Sequence, residues 1–233
     1  MVGPVPSVAA SLRPVERDGP DAAVLDVNCG QEDSFFRESH HFDHFTATCW
    51  PALRNRLATG GAVRLWSAAC SSGEEPYTLA MAMCGRDRTA AAALGRRDLK
   101  LLATDLSTDI LAAARTGRYA ADTVRSVPAE LRAAWLQRTD GGAEVRPELR
   151  ALIAFRHLNL LGEWPMKGRF DAIFCRNVMI YFDEPTKARL QARLAERLAP
   201  GGFLYLGHSE RLSADVAPGF EVLGRTIFRK VPA

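Results

Sequence analysis

Residues 65–77 read LWSAACSSGEEPY and place an apolar run, a loop of small residues and a pair of carboxylates in immediate succession. Val63, Leu65 and Trp66 are β-forming side chains that suit a strand buried in a parallel sheet. Ala68, Ala69, Ser71, Ser72 and Gly73 strip bulk from the turn that follows, as a backbone needs where it approaches a ligand closely. Glu74 and Glu75 fall where a helix begins. Strand, small-residue turn and helix in that order predict an open α/β sheet with the turn at its carboxyl edge. The acidic pair matters more than the glycine, because a carboxylate there disfavours a pyrophosphate and favours a cationic or hydroxyl-bearing ligand.

The same order recurs downstream. Residues 99–104 are a second apolar run ending on Asp105, Ser107 is placed to cap a helix through Ala114, and Gly117 marks its end. Residues 170–175 form another buried strand, and Leu190, Leu194 and Leu198 set one stripe of the next helix on the sheet until Pro200, Gly201 and Gly202 stop it. A strand at 203–206 and alternating runs at 220–223 and 226–228 predict an antiparallel edge hairpin. Residues 118–159 break the rhythm. A helical piece over 128–136, a turn at Asp140, Gly141 and Gly142, and alternation up to His157 read as a small inserted antiparallel element. Ahead of the first strand, Phe35, Phe36, Phe42, Phe45, Leu53 and Leu57 predict one or two short helices packed on the sheet. Residues 1–28, with Pro4, Pro6, Pro14 and Pro20 and no sustained period, read as a loose leader.

A chain of 233 residues suits one α/β domain with appendages. Its 30 basic and 27 acidic residues leave a net charge of +3, too balanced to mark a nucleic-acid binder by field strength. Cys29, Cys49, Cys70, Cys84 and Cys175 are odd in number and never spaced as CxxC, which argues against a disulfide framework or a zinc ribbon and fits a reducing cytoplasm. No secretory leader and no run of roughly 18 apolar residues is found, so neither export nor membrane insertion is expected. His40, His41 and His44, near Cys49, read as solvated or capping residues, and no metal site is expected. The GxGxxG and GxxxxGK[ST] fingerprints and a YxxxK pair are missing, which weakens nicotinamide and ATP readings together.

Polar residues at strand ends are the chemical candidates. Glu74 and Glu75 either serve a ligand or simply favour the helix dipole, and the loop alone does not separate the two. Asp105 either accepts hydrogen bonds from both hydroxyls of a ribose or caps a turn. Arg176 and Asn177 directly follow buried residues in CRNVMIYF, residues 175–182, where an arginine without a task would be costly to desolvate.

Taken together, SFFRESHHF (34–42), LWSAACSSGEEPYTLA (65–80), ATDLSTDIL (103–111), ARTGRY (114–119), LNLL (158–161), FDAIFCRNVMIYF (170–182) and LAPGGFLYLGHSE (198–210) resemble, in order, the motifs of the CheR-type chemotaxis receptor methyltransferases. The resemblance runs from Ser34 to about Arg229. It implies a Rossmann-like class I methyltransferase sheet with helices on both faces, a C-terminal antiparallel hairpin and a small β-subdomain inserted at about 118–158. The methyltransferase domain would span 31–233 behind a leader of 1–30. The implied cofactor is S-adenosyl-L-methionine, leaving S-adenosyl-L-homocysteine. Glu74 and Asp105 would be its ligands, Asp105 on the ribose side, with Asn159, Leu160, Arg176 and Asn177 completing the pocket. Arg37 and Tyr181 fall on the positions beside the methyl group, where they would position the acceptor.

The implied reaction is methyl transfer to glutamate side chains of chemoreceptor cytoplasmic domains. A glutamate of reference pKa about 4.3 is already ionised at neutral pH, so no general base is needed. A receptor tail peptide or another protein would add at the edge of the inserted subdomain. The departures are specific. Family members usually carry a basic helical domain ahead of FFRE, where this chain has its proline-rich leader, so a truncated N-terminal domain is expected. VNCGQEDSFFRE also puts Gln31 and Asp33 on cofactor-contacting positions held in the family by Asn and Thr. A second reading, from another class, is a cofactor-binding regulator or scaffold acting on a different partner, which would bind without turnover.

Overall fold

The computed structural model describes residues 33–232, so Gln31, Cys29 and the leader lie outside the described residues. Ten strands follow in chain order: β1 Val63–Ala68, β2 Leu99–Asp105, β3 Arg118–Ala120, β4 Leu136–Thr139, β5 Gly142–Val145, β6 Ile153–His157, β7 Phe170–Cys175, β8 Leu198–Leu206, β9 Phe220–Gly224 and β10 Ile227–Lys230. Seven of them form one sheet in the order β6-β2-β1-β7-β8-β10-β9. The first five in that order are parallel, and β10 runs antiparallel to both β8 and β9, closing the sheet with the expected hairpin. β1 is central: Leu65 pairs with Leu101 on one side and Ala172 on the other. From β1 the chain steps outward through β2 to β6, then returns to β7 on the opposite flank. A crevice opens at the carboxyl ends where the order reverses.

Alternating side chains of each strand feed two cores, one per face. Leu65, Phe174 and Tyr205 join Phe42, Phe45, Leu57 and Tyr77 on one face, while Trp66, Ile173 and Leu204 join Leu190 and Leu194 on the other. The short helices before β1, His40–His44 and Trp50–Ala58 with a π-helical turn Phe45–Cys49 between them, are fixed by aromatic stacking. The Phe42 ring stacks on Phe174 at 5.8 Å, and Phe174 on Tyr205 at 4.2 Å. Local signals set the other helices. Ser107 accepts from the Ile110 amide at 3.3 Å, and Gly117 takes φ 66° after the last turn of Thr108–Thr116.

Three places differ from the sequence expectations. Residues 153–157 fall inside the range expected for the insertion, yet they pair in parallel with Leu101–Asp105 as the edge of the main sheet. The small sheet, β3-β5-β4, spans Arg118–Val145. Ile153 and Phe155 alternate as a hairpin strand does, because an edge strand of the main sheet also buries one face only. The helix Glu184–Arg197 stops before Pro200, so Leu198 already belongs to β8 and the Pro-Gly-Gly lies within that strand. His41, expected in solvent or at a cap, is fully buried, its Nε2 3.0 Å from the Thr226 hydroxyl. Among the described residues no helix is long and apolar enough to cross a membrane.

Candidate functional site

Asp33, Ser34, Arg37, Cys70, Glu74, Glu75, Arg176 and Asn177 are among the residues lining the crevice. Its floor is the turn after β1. Gly73 there has φ 98°, and a Cβ on it would stand 3.1 Å from both the Ala114 methyl and the Tyr119 hydroxyl, so the position needs glycine. The Tyr119 hydroxyl in turn donates to the Ser72 carbonyl at 2.7 Å, bracing the turn from below. Asp105, at the end of β2, accepts from the Ser71 amide at 2.8 Å and from the Ser107 amide at 3.0 Å. Its capping role is therefore real. A carboxylate oxygen has lone pairs left beyond one amide each, so the ribose role remains chemically open to it.

Left-handed backbone is concentrated here. Phe36, Glu38, Ala69, Ser71 and Asn177 have φ between 48° and 59°, and the one other such non-glycine residue among those described is Thr226, at His41. Each conformation disfavours a side chain and persists only where surroundings over-determine it, a pattern typical of functional turns.

The two carboxylates read together in the sequence have different partners. Glu75 accepts from the Ser67 hydroxyl at 2.7 Å and from Arg176 Nη1 at 3.1 Å. Glu74 accepts from the Ser72 hydroxyl at 2.7 Å, and no cation among the described residues pairs with it. Burial pushes the pKa of both upward, opposed at Glu75 by Arg176. Arg176, its side chain 4% exposed, also holds Glu38 Oε2 at 3.3 Å, donates to the Arg37 carbonyl and lies over the Phe42 ring at 5.3 Å. Burial works to raise the Glu38 pKa, but Arg176 and the hydrogen bonds from His208 hold it below the usual value. Burial, and then the Arg176 charge, lower His41 to about 3, so its ring is neutral at pH 7. The Cys70 thiol is pushed up by burial and nearby carboxylates, which leaves it a poor nucleophile.

Behind this layer Glu210 ties two strand ends together, accepting from the amides of Gly207 at 2.6 Å, Asn177 at 3.2 Å and Met179 at 2.7 Å. A Cβ on Gly207 would fall 2.6 Å from the Asn177 amide nitrogen, so the loops after β7 and β8 are in closest contact there.

Of the residues singled out in the sequence, Asp33, Arg37, Glu74, Arg176 and Asn177 line one crevice, and Asp105 joins them through Ser71. The Arg37 side chain comes within 3.9 Å of Asp33. Asn159 and Leu160 follow β6 beside the end of β2, where the Leu158 amide donates to the Asp105 carbonyl at 2.9 Å, and Asn159 closes its own turn onto Leu161 at 2.8 Å. Tyr181 ends the short helical turn Met179–Tyr181 after Asn177 and is half-buried outside the crevice lining. Gln31 lies outside the described residues. The sequence reading missed Glu38, the pairing of Glu75, and Glu210. The signal for Glu38 and Glu75 was indirect, since a buried arginine at position 176 demands carboxylates without naming them, and Glu210, which meets backbone amides, left none. Among the described residues no group of three or more His, Cys, Asp or Glu is placed to hold a metal ion.

Residues 31–228 match the family model described as CheR methyltransferase, SAM binding domain. A Rhizobium etli protein described as a probable chemotaxis protein methyltransferase is 42% identical over 199 residues, 84% of this chain and 73% of that protein. Chemotaxis protein methyltransferase 2 of Pseudomonas aeruginosa is 42% identical over 184 residues, 76% of this chain and 62% of its own length. The chemotaxis protein methyltransferase of Klebsiella aerogenes is 40% identical over 203 residues, 84% of this chain and 64% of its own length. The chain thus spans a little under two thirds of these last two relatives. Among solved structures, magnesium protoporphyrin IX methyltransferase from Synechocystis PCC 6803 with bound SAM aligns over 84% of this chain and 80% of its own at a TM-score of 0.46 and 16% identity, too distant to transfer any residue's role. By the extent of the domain match and the identity to these relatives, the chain belongs to the CheR methyltransferase family and carries its SAM-binding domain.

Proposed function

We propose that this chain transfers the methyl group of S-adenosylmethionine to glutamate carboxylates of chemoreceptor cytoplasmic domains, giving methyl esters. The observation that carries the reading is the contrast between Glu74 and Glu75. Glu75 has a protein cation, whereas Glu74, 5% exposed at the crevice wall, has none among the described residues. A buried carboxylate in that state is matched by a cationic ligand group, and the amino group of a methionyl moiety is one. Asp105 would serve the ribose hydroxyls with its remaining lone pairs, and Asp33, Asn159, Leu160 and Asn177 would complete the contacts.

When bound, the cofactor supplies an electrophilic methyl on a positively charged sulfur. The acceptor glutamate is already a carboxylate at neutral pH, so the protein has no proton to remove. Transfer would form an O–CH3 bond on one acceptor oxygen at the expense of the donor's S–CH3 bond, the carboxylate and sulfonium charges cancelling to leave ester and thioether. The protein's task is alignment and exclusion of water from the nucleophile. Arg37, on the crevice wall, would pair with the acceptor carboxylate, and Tyr181 would orient it. Too tight a clamp would blunt the nucleophile, which suits an arginine whose guanidinium also answers to Asp33.

The test is transfer of labelled methyl from S-adenosylmethionine to receptor cytoplasmic fragments, scored as base-labile ester. Label is expected, falling by about 100-fold in Arg37→Ala as alignment is lost. No label with any receptor of the same cell would overturn the proposal.

A further inference from the structure

We infer that Glu38 is a positioning residue for methyl transfer: it fixes the turn that presents Arg37 to the reaction, acting through Arg176 and Asn177. The inference deepens the methyltransferase reading above and rests on it.

Glu38 is the point where three segments meet. Its Oε1 accepts from Asn177 Nδ2 at 3.4 Å and from the His208 amide at 3.2 Å, and the His208 ring Nδ1 lies 3.1 Å away. Its Oε2 lies 3.3 Å from Arg176 Nη2 and 3.4 Å from His41 Nδ1. Arg176 extends the chain of contacts in two directions, through Nη2 to the Arg37 carbonyl and through Nη1 to Glu75, the neighbour of Glu74 on the cofactor wall. Arg37 stands between two left-handed residues, Phe36 at φ 57° and Glu38 at φ 55°. The direction of its side chain is therefore set by a backbone that holds an unfavourable conformation on both sides, and the Glu38 carboxylate anchors that backbone together with Arg176 on the Arg37 carbonyl and the Thr78 hydroxyl, which accepts from the Phe36 amide at 3.1 Å.

Charge balance alone does not account for this arrangement. One carboxylate, Glu75, would neutralise the Arg176 guanidinium; a second buried carboxylate leaves the cluster with an excess negative charge that His41, neutral at pH 7, does not offset. Glu38 instead holds together groups from the loops after β7 and β8, and it does so at the turn carrying Arg37. The Arg176 guanidinium is also rigid, since its planar fork donates to Glu75 through Nη1 and to the Arg37 carbonyl through Nη2.

The experiment uses the full chain. Glu38→Gln keeps the shape and removes the charge. Its kcat for receptor fragments is expected to fall by about 100-fold, the scale of a misplacement of about 1 Å, with S-adenosylhomocysteine affinity by calorimetry changed less than about threefold. Arg176→Lys keeps the charge but loses the fork, and the double variant is expected to be no slower than the slower single one. Independently of activity, amide hydrogen exchange at 34–41 and 207–209 is expected to speed up in Glu38→Gln while the helix Glu74–Cys84 keeps its protection. An unchanged kcat, a cofactor affinity that falls in step with the rate, multiplying losses in the double variant, or unchanged exchange at the turn would each overturn the inference. If the unsubstituted chain transfers no label, the methyltransferase reading fails on its own, and the exchange measurement still decides whether Glu38 holds the turn.

Discussion

The two walls of the crevice are built differently. On the cofactor-loop wall, polar groups are satisfied close by: Glu74 by Ser72 two residues earlier, and Asp105 by Ser107 two residues later and by Ser71 on the adjacent strand's turn. On the wall formed by the N-terminal turn, Arg176 reaches 101 residues back to Glu75, and Asn177 reaches 139 residues back to Glu38. The first wall is complete once two neighbouring β-α units have formed. The second exists only when the whole sheet and the segment ahead of it have assembled. Under the proposed function, cofactor binding on the first wall is therefore tied to local structure, and alignment of the acceptor on the second to the integrity of the entire domain.

Removing the cation of the second wall is the harshest way to break this contrast. Arg176→Met leaves Glu38 and Glu75 buried without their counter-charge, and a loss of about 3–5 kcal/mol in urea unfolding is expected. A loss below about 1 kcal/mol would place the cluster with surface ion pairs and erase the distinction between the walls.

Glu74→Gln tests the first wall and has two consequences of opposite sign. Affinity for S-adenosylhomocysteine, measured by calorimetry, is expected to fall roughly 10- to 100-fold as a charged hydrogen bond to the ligand's amino group is lost. The ligand-free protein is expected to become more stable at pH 7. Burial raises the Glu74 pKa in the folded state, so its contribution is most favourable below the ordinary glutamate value and is lost as pH rises through the folded one. The stability gain in the variant should therefore disappear in acid. Glu38 runs the other way: with its pKa held down, its contribution is present above the ordinary glutamate value and lost as pH falls through the folded one. Urea unfolding of Glu74→Gln and Glu38→Gln across pH 3–7 should give differences of opposite sign at neutral pH. A shared sign would show that both carboxylates sit in one electrostatic environment.

The difference between the walls is also the difference between what the sequence made legible and what it did not. The Val63–Ala68 strand, the glycine turn, the Ser107 cap and Gly117 are local devices, and a reader of propensities can place them. Glu74 and Asp105 stood out for the same reason. Glu38 did not, because nothing within its own segment distinguishes a carboxylate that will meet Arg176 from one that will face water. His41 was misplaced likewise: three histidines in five residues look solvated until Tyr205 and Thr226, more than 160 residues on, close over them. The edge strand Ile153–His157 was absorbed into the insertion because half-buried alternation has the same form in either sheet.

The smallest expected effect sharpens the comparison most narrowly. His208 contributes two groups to Glu38, a ring nitrogen at 3.1 Å and a backbone amide at 3.2 Å, and its side chain is 58% exposed. His208→Ala removes the ring and keeps the amide. A single hydrogen bond on the solvent side contributes about 0.5–1.5 kcal/mol, so unfolding should shift by no more than that. Methyl transfer should change less than about threefold, because Arg176 and Asn177 still hold the carboxylate. A drop in rate comparable to that of Glu38→Gln would instead assign the alignment of Arg37 to the loop after β8. The second wall would then be governed from its solvent-exposed rim, where receptor and salt can reach it, and not from the buried guanidinium.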